Sequence, residues 1–152
     1  MVNIDLLKKL RNETLVSLAD CRKALEESKN DYKKALEVLR KSGLEKAAKK
    51  SERVTSQGII DSYIHQNGKV GVLIEVSCET DFVARTDVFK NLVHEICMQV
   101  AAMNPKDVKT LLAQEYIRDS SKTIKVLVKE IIAKLGENVV VKRFQRFEAG
   151  NK

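Results

Sequence analysis

Residues 59–76 read IIDSYIHQNGKVGVLIEV, and this stretch decides the class of fold. The dipeptide Asn67-Gly68 is a strong signal for a β-hairpin, because a type I′ turn needs positive φ angles at both of its central residues. Beyond the turn, apolar side chains occupy every second position, at Val70, Val72, Ile74 and Val76. That alternation predicts a strand with one face buried against a second layer.

The residues after the hairpin predict a helical layer. Thr80 can cap a short helical turn, and Thr86 can cap a longer helix. The longer helix carries an apolar stripe at helical spacing, formed by Phe89, Leu92, Val93, Ile96, Val100 and Met103. Such a stripe is typical of a helix that packs on a core, and we expect Asn104-Pro105 to end the helix.

The last part of the chain predicts one more helix and a closing strand. Residues 106–119 give only a weak helical signal. Ser121 or Thr123 can cap a helix that ends at Gly136. The β-prone run 139–147 then completes a three-stranded antiparallel sheet with the hairpin, and we expect the residues after it to fray.

The first part of the chain predicts three short helices. Ser17 and Asp20 resemble a capping box at the start of the second helix. The apolar face of that helix is expected to comprise Leu18, Cys21, Ala24 and Leu25. Asn30 is the expected N-cap of the third helix, and Gly43 is the glycine expected to end it.

We therefore expect three units along the chain. Residues 1–43 form a three-helix domain, residues 44–54 form an exposed connecting helix, and residues 55–152 form a core domain of a sheet packed with helices. Because helices and antiparallel strands are segregated along the chain, the fold class is α+β.

The composition limits the classes of function. The chain has 152 residues, of which 43% are hydrophobic, 32% charged and 5% aromatic. Charges of both signs are dispersed, which argues against disorder, and the few aromatic residues argue against a platform for stacked bases. No apolar run approaches the roughly 18 residues that cross a bilayer. The N-terminus lacks a secretory apolar segment, so we expect a cytoplasmic protein with no membrane partner.

The net charge of +7 favours anionic partners. An RNA-associated module is therefore the alternative function, and it would use the basic residues Lys46, Lys49, Lys50 and Arg53. A solvated helix face also explains these residues, and the sequence carries no zinc-finger or RRM signature. We expect no specific nucleic-acid partner, and RNA binding of the alternative kind would weaken steeply with salt.

Catalytic and cofactor chemistry finds little support in the sequence. The widely spaced Cys21, Cys78 and Cys97 are typical of reduced, buried thiols, and nothing places His65 or His94 beside a thiol as a general base. Neither a metal-ligand pattern nor a phosphate-binding glycine loop is present in the sequence. We expect no cofactor, no metal site and no enzymatic activity.

The strongest functional candidate is the loop Thr80-Asp81-Phe82-Val83, which places an acid beside a large aromatic residue just after a strand. One interpretation is a capped helix start with Phe82 folded inward. The other is a wedge, in which Phe82 fills a partner's pocket while Asp81 fixes the register by accepting hydrogen bonds.

This loop closely resembles the signature of the bacterial translation elongation factor Ts family. The resemblance is carried by residues 75–85 and by three further motifs, at residues 20–25, at residues 40–43 with 46–50, and at residues 136–139 with 142–144. Four motifs in the family's order argue against a chance match.

The resemblance implies a fold and a partner. The family has an N-terminal three-helix domain of the ubiquitin-associated type, followed by a core with a three-stranded antiparallel sheet. Its members are guanine nucleotide exchange factors that bind the GTPase elongation factor Tu and release its GDP. By the resemblance, Mg²⁺ is dislodged from the partner by the loop of Thr80, Asp81, Phe82 and Val83. The implied docking segment on the partner's GTPase domain comprises Asp20, Cys21, Arg22 and Lys23.

Two departures from the family pattern are visible. Residues 14–19 read TLVSLA where the family commonly has TGAGMM, so the methionine anchors of that turn are missing. The stretch between Pro105 and Lys125 is too short for the family's usual helical insertion. The resemblance therefore implies a form with a single core. For this form a homodimer is a candidate assembly, with the final strand as its candidate interface.

Overall fold

The computed structural model describes residues 1–150, so the end of the predicted fraying tail, Asn151 and Lys152, lies outside the described residues. The helices are α1 (Ile4–Thr14), α2 (Leu18–Glu27), α3 (Tyr32–Lys50), α4 (Asp81–Ala84), α5 (Asp87–Met103), α6 (Val108–Ala113) and α7 (Ile124–Leu135). The strands are β1 (Gln57–Ile64), β2 (Val70–Cys78), β3 (Glu115–Tyr116), β4 (Asp119–Thr123) and β5 (Val139–Glu148). An antiparallel sheet of order β1-β2-β5 lies against helices, which confirms the predicted α+β fold.

The hairpin forms where the sequence predicts it, but its turn is of another type. Gly68 has a φ of 70°, whereas Asn67 does not share a positive φ. The amide of Gly68 donates to the carbonyl of His65 at 2.7 Å, which closes a turn around Gln66 and Asn67, and neither of these two residues has a positive φ. A type I′ turn needs a positive φ at both central residues, so the prediction of that type is wrong.

The core of the sheet domain lies between β2 and α5. Alternate β2 side chains, Val72, Ile74 and Val76, are buried on one face of the sheet. The predicted α5 stripe is buried against them from Phe89 to Val100, which confirms the helical layer. Met103 is the exception, since it is the last residue of α5 and half of its surface is exposed.

The three N-terminal helices form a second, smaller buried cluster. Ser17 caps α2 as predicted, because its hydroxyl accepts from the amide of Asp20. Leu18 is largely exposed, contrary to prediction. The N-cap of α3 is Asp31 rather than Asn30, which adopts a φ of 63° and turns the chain between α2 and α3. Asn tolerates this left-handed conformation better than most residues. Asn30 therefore shapes the turn through its backbone conformation and does not cap α3.

The expected helix end at Gly43 is wrong. Helix α3 continues through this position to Lys50 and packs along α7. A Cβ at residue 43 would lie 3.2 Å from the Cβ of Ala133, so Gly43 allows a close approach of two helices. Ala47 is buried in the core of the sheet domain, so the predicted connecting helix is neither separate nor wholly exposed. The division at residues 43 and 54 stays a prediction.

Residues 106–119, which give only a weak helical signal in the sequence, contain α6, β3 and the first residue of β4; β3 and β4 pair as a small second sheet. The buried side chain of Gln99 holds this pair, donating to the carbonyl of Glu115 at 3.0 Å and accepting from the amide of Ile117 at 3.0 Å. A lone Gln between the apolar positions of α5 was the available signal, because a buried amide needs partners for its polar atoms.

Candidate functional site

Phe82 projects from the protein into solvent. Its side chain is 80% exposed, whereas the neighbouring Val83 and Ala84 are buried. The inward-folded interpretation of Phe82 is therefore wrong, and the single turn of α4 presents an aromatic ring on its outer side. An exposed aromatic ring on an anchored turn offers a large apolar area with a defined direction to a partner.

The capping residues explain why this turn holds its shape. Thr80 is the N-cap of α4, and its hydroxyl oxygen accepts from the amide of Val83 at 3.3 Å. At the other end, the Thr86 hydroxyl donates to the carbonyl of Val83 at 2.7 Å and accepts from the amide of Phe89. Both of the predicted caps are confirmed. Because Val83 and Ala84 pack inward, Phe82 is left on the opposite face.

Asp81 is held loosely. Its carboxylate forms an ion pair with Arg85 one turn along at 2.5 Å, and more than half of the side chain is exposed. Exposed pairs of this kind contribute about 0–1 kcal/mol, so Asp81 can exchange Arg85 for other hydrogen-bond donors at little cost.

The carboxylate of Glu137, which is distant from Thr80 in sequence but adjacent to it in space, anchors the start of the turn. Glu137 accepts from the amide of Thr80 at 2.9 Å and from its hydroxyl at 2.7 Å. The Cys78 thiol donates to the carbonyl of Thr80 at 3.2 Å. Burial, reinforced by the nearby charge of Glu137, raises the pKa of Cys78, so the thiol keeps its proton and remains a donor.

The second predicted site lies at the start of α2. Asp20 accepts from the Ser17 hydroxyl at 2.8 Å and from the Lys46 ammonium at 3.0 Å. The hydrogen bond from Ser17, followed by that from Lys46, lowers the pKa of Asp20, so the carboxylate is charged at neutral pH. This side chain joins α2 to α3 across the surface.

The other three residues of that segment divide by exposure. Arg22 and Lys23 are exposed, and Arg22 pairs with Glu26 at 3.3 Å. Cys21 is fully buried, with its thiol facing the carbonyl of Val16 at 3.7 Å. Its side chain therefore packs beneath the surface that Arg22 and Lys23 form. All four residues lie within about one turn of α2, but only Arg22 and Lys23 are exposed to solvent.

Sequence reasoning missed the exposure of two apolar side chains beside this segment. Leu15 and Leu18 are both more than half exposed. Leu15 adopts a φ of 58° at the end of α1, which turns the chain toward α2. Since a left-handed Leu is uncommon, sequence pattern alone gave little indication of this turn.

The basic residues of the RNA alternative are partly neutralised. Lys46 pairs with Asp20, and Arg53 pairs with Glu79 at 3.6 Å. Within residues 1–150, Lys49 and Lys50 form no ion pair. Two unpaired lysines are a small footprint for a phosphate backbone, so the geometry favours the Phe82 loop as the functional site.

The described residues contain no cluster of three or more His, Cys, Asp or Glu side chains that could hold a metal ion. All three cysteines are free and buried. Among the helices of residues 1–150, none combines the length and apolarity that crossing a membrane requires.

Comparisons of the sequence with a family model and with known proteins point to the same family. A sequence model of the family described as Elongation factor TS matches residues 79–152. Elongation factor Ts of a Thermoanaerobacter species is 44% identical over 195 aligned positions, which cover 99% of this chain and 96% of that protein. Elongation factor Ts of Coprothermobacter proteolyticus is 44% identical over 98% of both chains.

A longer relative shows a different span. Elongation factor Ts of a Nostoc species is 46% identical over 99% of this chain, which corresponds to 48% of its own length. In the Thermoanaerobacter comparison, the 195 aligned positions outnumber the 152 residues of this chain. That relative therefore carries internal residues that have no counterpart here.

Proposed function

Since the chain belongs to the elongation factor Ts family, we propose that it is a guanine nucleotide exchange factor for elongation factor Tu. In this proposal it binds the GDP-bound GTPase in the cytoplasm, dislodges Mg²⁺ and promotes release of GDP, so that GTP can bind during translation elongation. It performs no covalent chemistry and so is not an enzyme.

The exposure of Phe82 is the observation that carries the proposal. The ring is 80% exposed on a turn that two threonine caps and Glu137 hold in place. Burial of a Phe side chain is worth roughly 1.5–3 kcal/mol. A thousandfold acceleration of GDP release requires about 4 kcal/mol. Phe82 and a few polar contacts from Asp81 are therefore of the right order.

Magnesium chemistry explains how such a wedge can act. Mg²⁺ requires near-ideal octahedral geometry and bridges phosphate oxygens in GTPases. Displacement of one ligand by about an ångström weakens that coordination and hence the hold on GDP. By linkage, GDP must weaken binding of the exchange factor by the same factor.

The proposed docking segment complements the wedge. Arg22 and Lys23 would contact the partner directly, and Asp20 would fix the turn that carries them. Cys21 would support these contacts from the core. The exposed Leu15 and Leu18 offer apolar contacts in place of the missing methionines.

The first test is stopped-flow release of fluorescent GDP from elongation factor Tu at fixed Mg²⁺ concentration. We expect the protein to accelerate release strongly, with saturation as its concentration rises. RNA binding at physiological salt is expected to be weak. Absence of acceleration at every concentration, together with salt-sensitive RNA binding, would instead support the alternative through Lys49 and Lys50.

The homodimer proposal has a structural basis in the outer face of the sheet. Strand β5 lies at one edge of the order β1-β2-β5. On the face away from α5, large apolar side chains are exposed, namely Ile60, Ile64, Leu73 and Phe147. The same face carries the pair Glu75–Arg143 at 2.8 Å. A two-fold interface brings the same surface of both copies together, so apolar groups can meet apolar groups, and charges of both signs give each copy an acid and a base to pair.

We therefore expect Phe147→Asp to shift a dimer toward monomer in sedimentation-velocity experiments, because burying a new carboxylate in an apolar interface is costly. Phe147 is 70% exposed within one chain, so the substitution leaves the monomer fold intact. Val54→Asp, at an exposed position before β1, is the matched control. A monomeric wild-type protein at high micromolar concentration would contradict the dimer.

A further inference from the structure

We propose that Glu137 is a positioning residue for the wedge, which sets the orientation of Phe82 without touching the partner. This inference rests on the proposed exchange function. It assigns a role to a residue 55 positions after Phe82 in the sequence.

The contact between Glu137 and Thr80 is bidentate. One carboxylate oxygen accepts from the Thr80 amide at 2.9 Å, and the other accepts from the Thr80 hydroxyl at 2.7 Å. Charged acceptors form hydrogen bonds roughly twice as strong as neutral ones, and two parallel bonds fix direction as well as distance. Because Thr80 is also the N-cap of α4, this contact sets the direction in which the turn leaves β2.

The backbone places Glu137 for this role. Helix α7 ends at Leu135, and Gly136 adopts a φ of 74°. That left-handed residue reverses the chain so that Glu137 reaches the end of β2 rather than continuing along the helix. A side chain at position 136 would strain this turn.

The next residue makes a second link, to the end of the N-terminal unit. Asn138 is buried, and its carboxamide donates to the carbonyls of Ser51 at 3.3 Å and Arg53 at 2.9 Å. Its backbone amide donates to Glu79 at 2.8 Å, and Glu79 pairs with Arg53. Two adjacent residues thus hold two segments: Glu137 binds the wedge turn, and Asn138 binds the segment after α3.

This arrangement predicts a specific kinetic effect. With the contact intact, Phe82 and the docking segment meet the partner at a fixed spacing. Without it, docking through α2 continues, but the ring samples several directions and is less often aligned. Misplacement by about an ångström can lower a rate by about 100-fold. The maximal rate of GDP release is therefore the quantity that Glu137 controls.

The kinetic test compares Glu137→Ala, Glu137→Gln and the matched control Glu115→Ala. Glu115 is an exposed carboxylate on β3, so its variant removes the same charge away from the loop. We expect Glu137→Ala to lower the maximal GDP release rate from elongation factor Tu by roughly 10-fold, with a half-saturating concentration within about 2-fold of wild type. Glu137→Gln keeps one acceptor and should restore most of the rate, and Glu115→Ala should match wild type.

A second measurement needs no partner. Amide hydrogen exchange at residues 80–85 should accelerate in Glu137→Ala while exchange along α5 stays unchanged. The proposal is overturned if Glu137→Ala retains the wild-type maximal rate, or if α5 loses protection together with the loop, which would indicate a purely structural role. An inactive wild-type protein would contradict the exchange function itself. In that case, loop exchange still decides whether Glu137 positions the turn.

Discussion

Replacement of Phe82 by Ala is expected to lower the stimulated rate of GDP release from elongation factor Tu by about 10- to 100-fold. This factor is the kinetic equivalent of the roughly 1.5–3 kcal/mol that burial of a Phe side chain provides. The free energy of unfolding should change by less than about 0.5 kcal/mol, because a side chain that is 80% exposed loses little packing. The two measurements are stopped-flow GDP release and chemical denaturation on the same preparations.

Phe82→Leu is the matched control for this experiment. Leu keeps most of the apolar volume and should retain an intermediate rate, since a wedge depends first on filled space. If Phe82→Ala releases GDP as fast as wild type, acceleration must come from the docking segment around Arg22 and Lys23. If the variant instead unfolds, Phe82 contributes to the core in a way that its exposure does not reveal.

Those parts of the fold that depend on local chemistry were predictable from the sequence. The alternating residues of β2 bury every second side chain, so the pattern reports directly which face meets the core. The caps at Thr80 and Thr86 follow in the same way, because a hydroxyl three residues before a free amide has an obvious partner. For α7 the sequence offered Ser121 or Thr123, and the structure uses Thr123. The capped turn that begins at Thr80 belongs to this class, but the exposure of Phe82 does not, because the sequence left an inward-folded ring and an exposed ring as alternatives.

Features that depend on distant partners could not be predicted. Gly43 is a helix terminator by local rules, and only the presence of Ala133 on α7 shows that it serves a close helix contact. Gln99 holds a strand pair that the sequence presents as a weak helix. The role of Glu137 depends on Thr80, which is 57 residues away, so no local pattern could reveal it.

The same substitution seven positions after Phe82 should have the opposite consequence. Phe89 lies on the inner face of α5 and is completely buried in the core of the sheet domain. Phe89→Ala removes the ring and leaves a cavity that the surrounding side chains fill only in part. We expect a loss of about 3–5 kcal/mol in the free energy of unfolding, which is a large share of the roughly 5–15 kcal/mol typical of a whole domain.

Urea denaturation followed by circular dichroism measures this loss, and Phe82→Ala is its control because it deletes the same atoms from the surface. Ala47 of α3 is buried in the same core as Phe89, so destabilisation should extend into the N-terminal helices within one transition.

The folded fraction of Phe89→Ala should still reach the wild-type maximal rate of GDP release, because Phe89 contacts no partner. A loss below about 1 kcal/mol would mean that the core collapses around the missing ring. A folded variant with a reduced maximal rate would mean that α5 packing also sets the direction of the wedge.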